Sequence, residues 1–60
     1  MILKGLLEVL NPNVYFHLFQ EKHIGRFDKF DLGIEDYLNY FVKEINIDDE
    51  VLEIYLESQE

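Results

Sequence analysis

In Ile45-Asn46-Ile47-Asp48-Asp49-Glu50-Val51-Leu52-Glu53-Ile54-Tyr55-Leu56 the apolar residues recur at every second position on both sides of an acidic cluster. Successive side chains of a strand face opposite sides, so Ile45 and Ile47 share one face of a strand. Leu52, Ile54 and Leu56 likewise share one face of the next strand, with Asp48-Asp49 as the turn between them. This period of two sets a β-hairpin at the C-terminal end and decides for a fold that contains a sheet.

Moving towards the N-terminus, the period changes. Ile34, Tyr37, Leu38 and Phe41 follow the i, i+3, i+4, i+7 spacing of a helical stripe, with Glu35 and Asp36 in its first turn, where the helix dipole favours anions. Asp31-Leu32-Gly33 separates this segment from a more polar strand, Ile24-Gly25-Arg26-Phe27-Asp28-Lys29-Phe30, in which Gly25 marks a candidate bulge. Glu21-Lys22-His23 turns the chain back to Val14-Tyr15-Phe16-His17-Leu18-Phe19-Gln20, which is rich in strand formers. Leu3, Leu6, Leu7 and Leu10 form a second helical stripe that Asn11-Pro12 ends. The expected fold is α+β, a single domain over 1–60 with the order α-β-β-α-β-β. Two short helices cover a four-stranded, mostly antiparallel sheet.

Sixty residues bury only roughly 60% of the surface that the unfolded chain exposes, so such a domain needs additional stabilisation. Cysteine is absent, which removes disulfides, thiolate metal sites and thiol nucleophiles together. Five Phe and four Tyr in a chain that is 48% hydrophobic supply dense packing instead, and exclude a disordered acidic tail. No apolar run approaches the ~20 residues that span a bilayer, and Met1-Ile2-Leu3-Lys4 lacks the features of a signal peptide. The expectation is a complete short reading frame whose product is cytoplasmic. The absence of Ala and Thr beside abundant Phe, Tyr, Ile, Asn and Lys is the coding bias of an AT-rich genome.

Charge is unevenly placed. Residues 1–33 balance Glu8, Glu21, Asp28 and Asp31 against Lys4, Lys22, Arg26 and Lys29, whereas the only base after Lys29 is Lys43, so the net −8 resides in residues 34–60. Such a field opposes binding to nucleic acid or to an anionic membrane and favours a basic protein surface. Glu44, Asp48, Asp49, Glu50, Glu53 and Glu57, with Tyr55 interleaved, are the expected partner-binding acidic face. Residues two apart on a strand are ~6.6 Å apart, close to the ~7 Å between neighbouring phosphates of a nucleic-acid strand. A nuclease or another nucleic-acid-binding protein is therefore a natural target, while a merely solubilising acidic surface is the competing account.

Tyr15, His17 and Phe19 make the second face of the first strand aromatic. Either this face associates with a second copy in a homodimer, or the two helices cover opposite faces of the sheet. No catalytic, cofactor-binding or metal site is expected. His17 and His23 could take zinc with Glu21 or Asp28, but the spacing matches no signature, and partly exposed sheet histidines account for it. Phe30 and Leu32 occupy positions where a calcium loop around Gly33 needs oxygen ligands, and Asp48-Asp49-Glu50 with Glu53 reads as a solvated hairpin tip. Ser58 is the lone aliphatic hydroxyl, and no Gly-rich phosphate loop is present.

The pattern Leu3-Lys4-Gly5-Leu6-Leu7-Glu8-Val9-Leu10, Val14-Tyr15-Phe16, Tyr37-Leu38-Asn39-Tyr40-Phe41-Val42-Lys43-Glu44-Ile45 and Leu52-Glu53-Ile54-Tyr55-Leu56 resembles small acidic proteins of phages that infect AT-rich Gram-positive bacteria. That group includes anti-CRISPR proteins and nucleic-acid mimics. The resemblance implies a non-enzymatic inhibitor of a host enzyme, acting in the bacterial cytoplasm. A small oligomeric structural or assembly protein is the alternative.

Overall fold

A computed structural model describes residues 1–58 of the chain. The C-terminal hairpin pairs β3 (Val42–Asp48) with β4 (Val51–Leu56) antiparallel. Ile45 lies opposite Ile54 and Ile47 opposite Leu52, and with all four on one face the closing pair becomes Asp48 and Val51. The turn is accordingly Asp49-Glu50, one residue later than expected. Both of its residues are left-handed, with φ of 50° and 69°, the backbone that suits the twist of a two-residue hairpin.

The first hairpin pairs β1 (Phe16–Gln20) with β2 (Lys22–Phe27). Glu21 alone links them, at φ 71°, and β2 starts two residues earlier than the sequence suggests. It also stops earlier. The Asp28 carboxylate accepts from the Phe30 backbone N–H at 3.0 Å, and its carbonyl accepts from that of Asp31 at 3.1 Å, which folds residues 28–31 into a turn. Ile24 is an extra residue on β2, because Leu18 faces Gly25 while Phe19 faces His23.

The two hairpins join side by side through a parallel pairing of β1 with β4, giving the strand order β2-β1-β4-β3. The α+β class and the four-stranded, mostly antiparallel sheet are thus present, with one parallel seam at the centre.

Helix α1 (Leu3–Val9) is too short to stand alone. Its Ile2 cap has no side-chain hydrogen bond, yet its first free N–H groups are satisfied. Leu3 donates to the Tyr40 carbonyl and Lys4 to that of Leu38, both at 2.9 Å, and Ile2 forms a bridge with Phe41. The second helix is a 3-10 helix over Leu32–Tyr37 rather than an α-helix. Asp31 caps it by accepting from the Gly33 N–H at 2.9 Å. The chain beyond it is drawn off to serve the N-terminus of α1, so the stripe breaks. Ile34 is buried and Tyr37 and Leu38 half-buried, while Phe41 remains 52% exposed.

Both helical segments pack on the same side of the sheet. Leu3, Leu7, Phe16, Leu18, Ile34, Ile54 and Leu56 form one buried cluster. The arrangement with helices on opposite faces is therefore excluded, and among the described residues the other face of the sheet carries no layer. The Phe27 ring closes one edge of the core between two glycines. A Cβ on Gly25 would meet it at 3.0 and 3.2 Å, and a Cβ on Gly33 at 3.0 Å from a neighbouring ring atom. At either position the half-buried ring would have to give by a few tenths of an ångström. Gly25→Ala and Gly33→Ala should each destabilise the fold by about 1–3 kcal/mol. Urea denaturation should show most of the Gly25→Ala cost disappearing in a Phe27→Leu background, and undiminished cost there would disprove the ring contact. The Gly33→Ala cost should fall less, because its Cβ also meets Asp31 Oδ1 at 3.2 Å.

Candidate partner-binding face

Strand alternation sends His17 and Phe19 away from the core side that Phe16 and Leu18 occupy. The parallel seam sets His17 beside Glu53 and Phe19 beside Tyr55, and β3 continues these rows with Asn46 and Glu44. Two lines of side chains thus cross all four strands on the open face. One runs Arg26, His17, Glu53, Asn46 and the other His23, Phe19, Tyr55, Glu44. Asp48 and Val51 begin a third line at the hairpin tip. Tyr15, His17 and Phe19, expected to self-associate, and the acidic residues Glu44, Asp48 and Glu53 with Tyr55 therefore belong to one continuous surface. The sequence suggests two surfaces because the seam that joins them connects distant segments. Asp49 and Glu50 occupy the exposed turn, and Glu57 is exposed just beyond β4, where its N–H donates to the Phe41 carbonyl at 2.9 Å.

The bulge at Ile24 also shapes this face. Simple alternation from Phe27 would send His23 to the core side, and the extra residue returns it to the open face opposite Phe19. His17 Nδ1 and His23 Nε2 then lie 2.8 Å apart, with one ring donating and the other accepting. His23 also packs 5.1 Å from Phe19, whose ring stacks on Tyr55 at 4.7 Å and 18° between planes. At the neighbouring corner the Arg26 guanidinium sits 4.4 Å over the Tyr15 ring. Tyr15, His17, Arg26, Glu50 and Val51 line a shallow, half-open depression of about 240 Å³. The gradient is clear: cationic and imidazole groups on β1 and β2, stacked aromatics in the middle, and carboxylates on β3, β4 and their turn.

Arg26 is the residue of this face that sequence reasoning passes over. It is the only Arg in the chain, and Gly25, one residue before it, is the visible signal of the bulge that aims this strand. Among the described residues, no group of three or more His, Cys, Asp and Glu side chains converges to hold a metal ion, and no helix is long and apolar enough to cross a membrane. The chain matches no known protein family, and no curated protein or solved structure is significantly similar to it.

Tyr55 registers the acidic field directly. Its phenol is held above the usual 10.0, first by desolvation, then by the Glu53 carboxylate, which accepts its hydroxyl hydrogen bond at 3.2 Å, and by the charges of Glu44 and Asp48. The folded-state value exceeds the unfolded one, so this stabilisation is complete below pH ~10 and is lost as pH rises through the raised value. Phenolate absorbance should show a transition above pH 10 that Tyr55→Phe removes and Glu53→Gln moves down. A transition unmoved by Glu53→Gln would contradict the coupling.

Proposed function

We propose that this protein is a non-enzymatic acidic binding protein that docks its open sheet face onto a basic surface of another protein. The observation that carries this reading is the uncovered face itself, where Glu44, Asp48 and Glu53 flank the Phe19–Tyr55 stack. Stacked aromatics offer rigid area that gains most when water is excluded, and the surrounding carboxylates steer a cationic partner into register. Proteins that handle nucleic acids present cationic grooves spaced for phosphates, which makes them the favoured target class. Occupying such a groove would inhibit the target in the bacterial cytoplasm, as the resemblance to small acidic phage proteins also suggests.

Retention of basic nucleic-acid-binding proteins from an AT-rich bacterial lysate should be strong at low salt and lost at high salt. Glu44→Lys and Glu53→Lys should each weaken it roughly tenfold or more. Salt-insensitive capture, or capture indifferent to both reversals, would refute the proposal.

The charge gradient favours a second reading, a small oligomer assembled through the same face. In a face-to-face dimer whose two-fold axis runs along the strands, the Arg26 side of one copy meets the Glu44 and Glu53 side of the other, around a shared aromatic centre. Sedimentation should then show a dimer that Phe19→Ser converts to a monomer. A monomer at every concentration removes this reading.

A further inference from the structure

The two edges of the sheet are not alike. At β2 the edge is interrupted by the bulge at Ile24 and carries Lys22 and Arg26, features that discourage another strand from pairing. At β3 the edge is seven residues long, and its own irregularity falls at Lys43, near its start. Residues 44–48 are regular, and every one of them is exposed. The N-terminal segment bridges Phe41, before β3 begins, and leaves this stretch free. Among the described residues, backbone N–H and C=O groups therefore face outward along it without a strand to receive them.

The side chains of this edge form an ordered pattern. Ile45 and Ile47 lie on the helix side of the sheet, 42% and 72% exposed. Helix α1 is tethered through Leu38 and Tyr40, before the start of β3, and a helix of seven residues spans only about 10 Å, so the hairpin's far end is left uncovered. Glu44, Asn46 and Asp48 occupy the opposite side of the same strand, aligned with the open face.

We infer that the β3 edge captures an extended segment of the basic partner as a fifth strand, and that the segment reads basic–apolar–polar–apolar–basic. Its basic side chains stand beside Glu44 and Asp48, its polar one beside Asn46, and its apolar ones cover Ile45 and Ile47. The pattern is the same in both chain directions, so parallel and antiparallel addition satisfy it equally. Charge selects this occupant over a second copy, because two chains of net −8 joined at β3 bring Glu44, Asp48, Asp49 and Glu50 of both together. The inference rests on the basic-partner reading above and adds the place and the manner of capture.

The test is a titration of the isotope-labelled protein with a capped peptide Gly-Lys-Val-Ser-Val-Arg-Gly, followed by backbone amide NMR. A matched peptide, Gly-Glu-Val-Ser-Val-Asp-Gly, serves as the control. The expected result is saturable shifts over residues 44–48, slowed amide exchange along β3, and none of this with the acidic peptide. Ile47→Lys and Glu44→Lys should each weaken the basic peptide roughly tenfold without lowering the melting temperature, since both side chains are exposed. Shifts centred on His17, Phe19 and Tyr55 would overturn strand capture while leaving the basic-partner reading intact. So would peptide-free association through β3, which would make a second copy the occupant. Absence of saturable binding by the basic peptide also overturns the inference. Salt-dependent capture of basic proteins by the whole chain tests the underlying reading separately.

Discussion

Everything in this molecule depends on the parallel seam between β1 and β4. Each hairpin alone would be a marginal two-stranded ribbon with half of its apolar face exposed. Placing Leu18 beside Ile54, and Phe16 beside Leu52, fuses the two apolar faces into one, on which α1 and the 3-10 helix close. The same pairing acts on the reverse side. It lays Phe19 against Tyr55 and His17 against Glu53, so that residues from the neutral and the acidic halves of the chain meet on a single surface.

What the sequence reveals of this architecture is what local chemistry controls. Alternation around Ile45, Ile47, Leu52, Ile54 and Leu56 marks β3 and β4, and the leucine stripe marks α1, because the periods of strand and helix are properties of the backbone. The turn is misplaced by one residue since acids occupy positions 48, 49 and 50 alike, and only pairing across the hairpin distinguishes them. The second helical stripe misleads for a related reason. Ile34, Tyr37, Leu38 and Phe41 have α-helical spacing, yet the carbonyls of Leu38 and Tyr40 are committed to the start of α1. A tertiary demand from thirty-odd residues away overrides a local preference.

The candidate site follows the same rule. Its acids and aromatics are legible one by one, whereas their assembly depends on a bulge and a seam. The Ile24 bulge decides which side His23 takes, and without it the imidazole pair and the packing of His23 on Phe19 would not exist. Gly25 signals the irregularity, but its strand position alone does not specify which neighbour is the extra residue. Gly25 also makes room for the Phe27 ring at the edge of the core.

The seam also governs how the chain must find its structure. Phe16 and Leu52 are 36 positions apart, and no strand between them bridges the gap in sequence order. Closing a loop of that length costs about 3 kcal/mol of chain entropy before any core contact repays it. Each hairpin can zip up locally in microseconds, so the slow event is the docking of two preformed ribbons along β1 and β4. In that order of events the seam and the already-formed Asp49-Glu50 turn act on the folding rate, whereas α1, which closes on the docked sheet, acts chiefly on how fast the finished structure comes apart. The strand junction that builds the binding face is also the barrier to forming it, which ties the appearance of a competent surface to the last cooperative step of folding.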